Sequence, residues 1–437
     1  MTNSGHYQNI ESYCSSKKLI VRKLLVLLSL LSPAFAVSCT NREVGDPLSI
    51  PFVKEAISDT TSAVYCQVKS GCLDGVYGSI SVIGPAQEAL IMTEALSCCD
   101  YFDNVDGRSV PDGLPDFAGE TLDLICDSAN APYEGYVAKG NENYLKELTF
   151  KNFLSALDTT CAVGQFDKNS LTRKQSSKIV ILASPYSSAY GYRDIMSIVK
   201  KARPQVNVVS VCHSMFDYAV SRHGDKSSVM VWTSEDILGA GVYSAVCSDL
   251  SDVYPSMKHV TVCPDHSGTL KERILSFLDK CKATEMTEKT EKIDAAIVDD
   301  MSLDADSLNA ELGIMLDNGT DGIEVYKSLL SDGFEFIDPK HAVTAQCERY
   351  LRKENYFTHR VAYPIVNIYC TVPVSGLSSS DYDENGGFTD SFKYDRADNS
   401  DNETFLLIEA PGGFLSDSQK AYLRRYAGNI YSQYVSN

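Results

Sequence analysis

Between Lys178 and Cys281 four short apolar runs alternate with helical patterns, and this alternation limits the possible folds more than any other feature of the chain. The runs are residues 179–183, 206–212, 229–232 and 260–263, all rich in Val and Ile. Helical patterns follow them at 193–202, 215–221, through 243, and at 270–281, where Ile274, Leu275, Phe277 and Leu278 share one face. Runs this short and continuously apolar fit strands buried on both faces. Strands separated by helices pair in parallel, because a parallel return needs a crossover. The expected fold class is therefore α/β, with parallel Rossmann-like sheets.

A similar pattern resumes with a strand at 293–298, a helix at 307–315, a strand at 334–337 and a helix at 343–353. A β-rich run at 363–373, a strand at 405–409 and a closing helix at 416–434 complete it. The charged stretch 282–292 reads as a linker, which predicts two lobes, 49–281 and 293–437. Upstream lie a helix at 53–68, a strand at 79–83 and a helix at 87–98. An irregular Asp/Gly/Pro-rich insertion follows at 100–120, and 376–404, poor in apolar residues, reads as a mobile surface loop.

Ligands of open parallel sheets bind beyond the carboxyl ends of the strands. Those ends carry Ser184 to Ser188, Cys212-His213-Ser214, Cys263 to Ser267, and Asp299-Asp300. Ser184, Tyr186, Ser187, Tyr190 and Trp232 are thus candidate ligand contacts, although Trp232 could equally be core. His213 or His266, near Asp265 or Asp299, could act as acid and base. The plainer alternative is that both cysteines end buried strands as small apolar groups while the histidines cap helices. The two thiols resemble those of cofactor-independent amino-acid racemases. Here, however, both fall in one run of strands rather than in two halves, and the flanking motifs differ, so no racemase assignment follows.

In the insertion, Asp103, Asp106, Asp112 and Asp116 could wrap a Ca²⁺ ion, since hard cations take six to eight oxygens. EF-hand spacing is absent, and Asp and Pro setting turns is the alternative reading. Thr358, His359 and Arg360 form a further polar cluster. Of the 14 cysteines, Cys66 and Cys72 are best spaced for a local disulfide.

At the amino terminus, Lys17, Lys18, Arg22 and Lys23 precede a short apolar stretch at 24–31 and then Ala36-Val37-Ser38-Cys39. The arrangement suits a signal peptide rather than a membrane span. Its end resembles the lipobox of bacterial lipoproteins, which implies removal of 1–38, acylation of Cys39 and a polar tether at 39–48. Cleavage after Ala36, giving a secreted protein, is the rival. Removing four cations and one anion takes the net charge from −19 to about −22. Such an acidic body repels nucleic acid and anionic lipid. G-x-G-x-x-G, Walker A, H-E-x-x-H and G-x-S-x-G are all absent.

Signal, acidic body and repeated βαβ units together resemble the periplasmic-binding-protein-like class. That resemblance implies a tethered envelope receptor for a small solute held between two lobes, with the membrane reached through the lipid. An envelope hydrolase or isomerase with a His/Asp acid–base pair is the alternative.

Overall fold

A computed structural model describes residues 50–435, except 73, 285–291, 320–321, 359, 361, 397–403 and 411–416. The signal-like segment, Cys39, the tether, His359 and most of the expected linker therefore lie outside the described residues. The α/β class holds: the described residues form twelve strands in two mostly parallel sheets.

In chain order the strands are β1 (Ser79–Gly84), β2 (Thr121–Cys126), β3 (Thr160–Gly164), β4 (Asp167–Arg173), β5 (Ser177–Leu182) and β6 (Asn207–Ser210). They continue with β7 (Ser228–Trp232), β8 (Lys258–Val262), β9 (Ile293–Val298), β10 (Leu330–Ile337), β11 (Ile365–Pro373) and β12 (Phe405–Glu409). The first sheet has the order β4-β3-β12-β11-β2-β1-β5-β6, antiparallel only at β3/β4 and β11/β12. The second, β10-β9-β7-β8, is parallel throughout.

The division between the sheets does not follow the expected linker. The run of strands from 179 to 263 is split, with β5 and β6 in the first sheet and β7 and β8 in the second. β9, just beyond the linker, pairs with β7 (Val229 opposite Ala295), whereas β11 and β12 return to the first sheet. A run of charge signals solvation, not a change of sheet; long-range strand pairing decides that.

Alternation along β7 explains how the sheets share a core. Val229 and Val231 face an apolar cluster built with Ile80, Val82 and Ile181 of the first sheet. Met230 and Trp232 face the outer cluster of the second. Trp232 is fully buried there, stacked on Phe277 at 5.2 Å, so it is core and not a ligand contact.

At the amino-terminal ends of β5 and β2, Lys178 and Glu120 form an ion pair (Nζ to Oε2, 2.7 Å) with both side chains wholly buried. Lys178 also donates to the carbonyls of Tyr356 and Val76, and Glu120 accepts from the Thr358 amide. Burial raises the Glu120 pKa and lowers that of Lys178, and each partner's charge opposes the other's shift.

Several local expectations change. Cys66 is exposed, Cys72 is buried, and all twelve cysteines among the described residues are free thiols. The stretch 376–404 holds a 3-10 turn (Ser379–Asp381) and a helix (Asp390–Tyr394), anchored by buried Phe388 and Tyr394. The closing helix is two helices, Asp417–Tyr426 and Gly428–Val435.

Candidate functional site

Each sheet has a point where consecutive connections leave in opposite directions. β1 lies between β2 and β5, and β7 lies between β8 and β9. Crevices open at such switch points. Here the two crevices meet in one cavity of about 440 Å³. From the first sheet come Pro85, Gln87 and Glu88 after β1, Tyr133 and Glu134 after β2, and Ser184 and Tyr186 after β5. From the second come Ser234 and Ile237 after β7, His266 after β8, and residues 299–302 after β9.

Two carboxyl groups dominate its chemistry. Glu88 stands in the first turn of the helix Ala86–Cys98. Its Oε2 is sealed from solvent and has no hydrogen-bond partner. Burial pushes its pKa up to about 8; the Ser184 hydroxyl opposes the rise, and the charges of Glu134 and Asp299 add to it. Asp299 follows β9 directly, and burial pushes it up to about 7. The Thr233 hydroxyl donates to Asp299 Oδ2 and opposes that shift, as does nearby Tyr243, while Asp300 adds to it. Ser184 is fully buried, and its Oγ forms no complete hydrogen bond.

Asp127 holds the cavity wall from behind. It accepts from Tyr133 Oη, Asn130 Nδ2, Asn152 Nδ2 and Thr371 Oγ1, each at 2.7 Å. Burial raises its pKa, and these four donors work against the rise. The result fixes the Tyr133 ring against the cavity.

Of the residues expected at the site, Ser184, Tyr186, His266 and Asp299 line the cavity. His266 Nε2 lies 3.3 Å from the Thr233 carbonyl. The others do not. Ser187 donates to the Ser184 carbonyl within its own short helix, and Tyr190 donates to the Ala240 carbonyl. Asp265 is exposed and accepts from the Ser267 amide and hydroxyl; those bonds lower its pKa. His213 is buried elsewhere, with Nδ1 2.8 Å from Ser210 Oγ and its ring 4.2 Å from that of Tyr192. The reason is local: Ser210 caps the helix Val211–His223, ending β6 before Cys212 and His213. Cys212 is thus a helix residue, and burial pushes its thiol up to about 12. Burial also raises Cys263. Neither is poised as a thiolate.

The insertion's carboxylates are spent on backbone amides. Asp116 accepts from Tyr101 and Phe102, Asp112 from Asn104 and Leu114, and Asp103 from Val105 and Asp106. Asp106 pairs with Arg108 at 2.6 Å. They cap turns, and no group of three or more His, Cys, Asp or Glu among the described residues is placed to hold a metal ion.

Glu88, Asp127, Tyr133 and Thr233 escape the strand-end reading of the sequence. Glu88 was within its reach, since the strand at 79–83 is legible and the residue opens the next helix. A second cavity, of about 340 Å³, lies along β3 and β12; its Asp158 is already engaged by Gln67 Nε2 at 2.6 Å.

The chain is thus an α/β protein with a sheltered cavity between two sheets. No protein-family model matches it, and no curated protein sequence does. Among solved structures it is similar to the glutamate racemase RacE1 of Bacillus anthracis, with 13 % identity, a TM-score of 0.37, and coverage of 67 % of this chain and 88 % of that one. It is also similar to the glutamate racemase of Francisella tularensis, with 12 % identity, a TM-score of 0.36, and 70 % and 90 % covered. These values are too low to assign a family.

Proposed function

We propose that the protein is an enzyme for a small molecule, an isomerase or hydrolase, that uses Glu88 and Asp299 as an acid–base pair. One observation carries this reading: two carboxyl groups, supplied by different sheets, share one sheltered cavity and titrate near neutral pH. A carboxyl group that changes protonation near pH 7 can both donate and accept a proton during turnover. Ser184 and Tyr186 orient the substrate, and His266 borders it. Asp127 acts at one remove, by holding Tyr133.

The test is incubation in D₂O with a panel of amino acids, hydroxy acids, sugars and amines, followed by proton NMR. Wash-in of deuterium or appearance of product, abolished in both Glu88→Gln and Asp299→Asn, is expected. Activity that survives both substitutions removes the pair from the mechanism.

The second reading is solute binding without turnover, favoured by the buried Ser184 hydroxyl in the cavity wall, which completes no hydrogen bond. Saturable stabilisation by a compound that undergoes neither exchange nor conversion supports that reading. Export with a lipid anchor on Cys39 is proposed from residues 17–39 alone.

A further inference from the structure

We infer that the compound held between the sheets carries a protonated amine and no anionic group. The inference rests on the cavity assignment above, and it names the class of ligand. Glu88, Glu134, Asp299 and Asp300 line the cavity, and its described lining contains neither Lys nor Arg. An anionic ligand there keeps Glu88 and Asp299 in their protonated forms and still faces Glu134 and Asp300, with no Lys or Arg in the lining to offset it.

Of the helix amino termini near the cavity, the usual alternative anchor for anions, two are already answered, while the five-residue helix Pro185–Ala189 has no acid in its first turn. Glu88 occupies the first turn of Ala86–Cys98, and Glu235 and Asp236 the first turn of Glu235–Gly239. Two adjoining buried atoms mark room for a partner. Ser184 Oγ and Glu88 Oε2 both belong to the lining and are closed to solvent, and neither completes a hydrogen bond, although the Ser184 hydroxyl lies near enough to Glu88 to oppose its pKa rise. An ammonium group is donor-only and can give its protons to both. Neutral hydroxyls on the same ligand suit Tyr186, Ser234 and His266.

A matched five-carbon series tests this: 1,5-diaminopentane, 1,5-pentanediol and glutarate, at equal ionic strength, followed by thermal melting and titration calorimetry. The diamine is expected to raise the melting temperature most and glutarate least. The diamine's advantage is expected to vanish in Glu88→Gln/Asp299→Asn. At pH 7.5 its binding should also release protons, read as a heat that depends on the buffer's ionisation enthalpy, because a bound cation draws both carboxyls into their ionised form. That wild-type measurement stands even where the double variant fails to fold.

A larger shift with glutarate, no shift with any of the three, or an advantage that persists in a folded double variant overturns the inference. Diamine binding with no exchange or product on any compound removes the catalytic reading and leaves this one. Turnover of an anionic substrate does the reverse.

Discussion

Glu88 and Asp299 enter one cavity from elements anchored in different sheets, and the charge of Asp299 helps hold the Glu88 proton in place. Approach of the sheets and protonation of the pair are therefore linked.

That linkage has a sign. Both carboxyls have raised pKa values in the folded protein, about 8 and about 7, against ordinary carboxylate values when unfolded. Between about pH 4.5 and 8 the native state binds more protons than the unfolded state, so this contribution is complete at low pH and falls as pH rises. Urea denaturation should show a loss approaching about 1.4 kcal/mol per pH unit for each group between its unfolded and folded values, up to about pH 7 for Asp299 and about pH 8 for Glu88. Glu88→Gln should flatten the slope; an unchanged slope would place the titration elsewhere.

Asp127→Asn should destabilise the fold by about 3 kcal/mol. The amide offers a donor where donors already converge, and each buried group left unpaired costs about 1–3 kcal/mol. Urea midpoints measure this. A change below about 0.5 kcal/mol would show that the four bonds to Asp127 are not needed.

The Lys178–Glu120 pair lends itself to a double-mutant cycle. Removing either partner strands a buried charge and should cost about 3–5 kcal/mol. Lys178→Met with Glu120→Leu together should recover most of that loss, because burial already works against both charged forms. Additive losses would contradict this account.

Thiol accessibility follows the burial pattern. In the native protein a bulky thiol reagent should react fastest at exposed Cys66 and Cys98, whereas Cys212, Cys281 and Cys347 react only on unfolding. Peptide mapping of the labelled sites checks this. Rapid native labelling of Cys347 would mean that its core opens readily.

The anchor is tested by feeding labelled palmitate to expressing cells. Incorporation lost in Cys39→Ala supports the lipid. Unlabelled protein in the medium, cut after Ala36, supports secretion.

Strands that are continuously apolar were legible, because burial on both faces leaves a dense run such as β5 or β9. β2 was not, because Asp123 interrupts it; the fold satisfies that carboxylate with Ser79 Oγ and Asn367 Nδ2, partners far away in sequence. β4 was hidden by its polar sequence at the sheet edge. At the site, Ser184, Tyr186, His266 and Asp299 follow from the strand-end rule once the strands are known. Trp232 and His213 mislead it for separate reasons: the alternation of β7 turns one to the outer core, and the Ser210 cap stops β6 too early for the other. How two switch points come to face each other depends on sheet partition, which no local signal encodes.

The centre of the first sheet is assembled from segments far apart in the chain. β11 lies against β2 and β12 against β3, so residues 365–409 fill a gap between strands made far earlier. During synthesis β2 must wait with an unpaired edge while the whole second sheet emerges, and such edges invite the wrong partners. A truncation removing β11 and β12 is thus no trimming of a tail. It splits a sheet down the middle, and the nascent chain depends on residues 365–409 to close that seam.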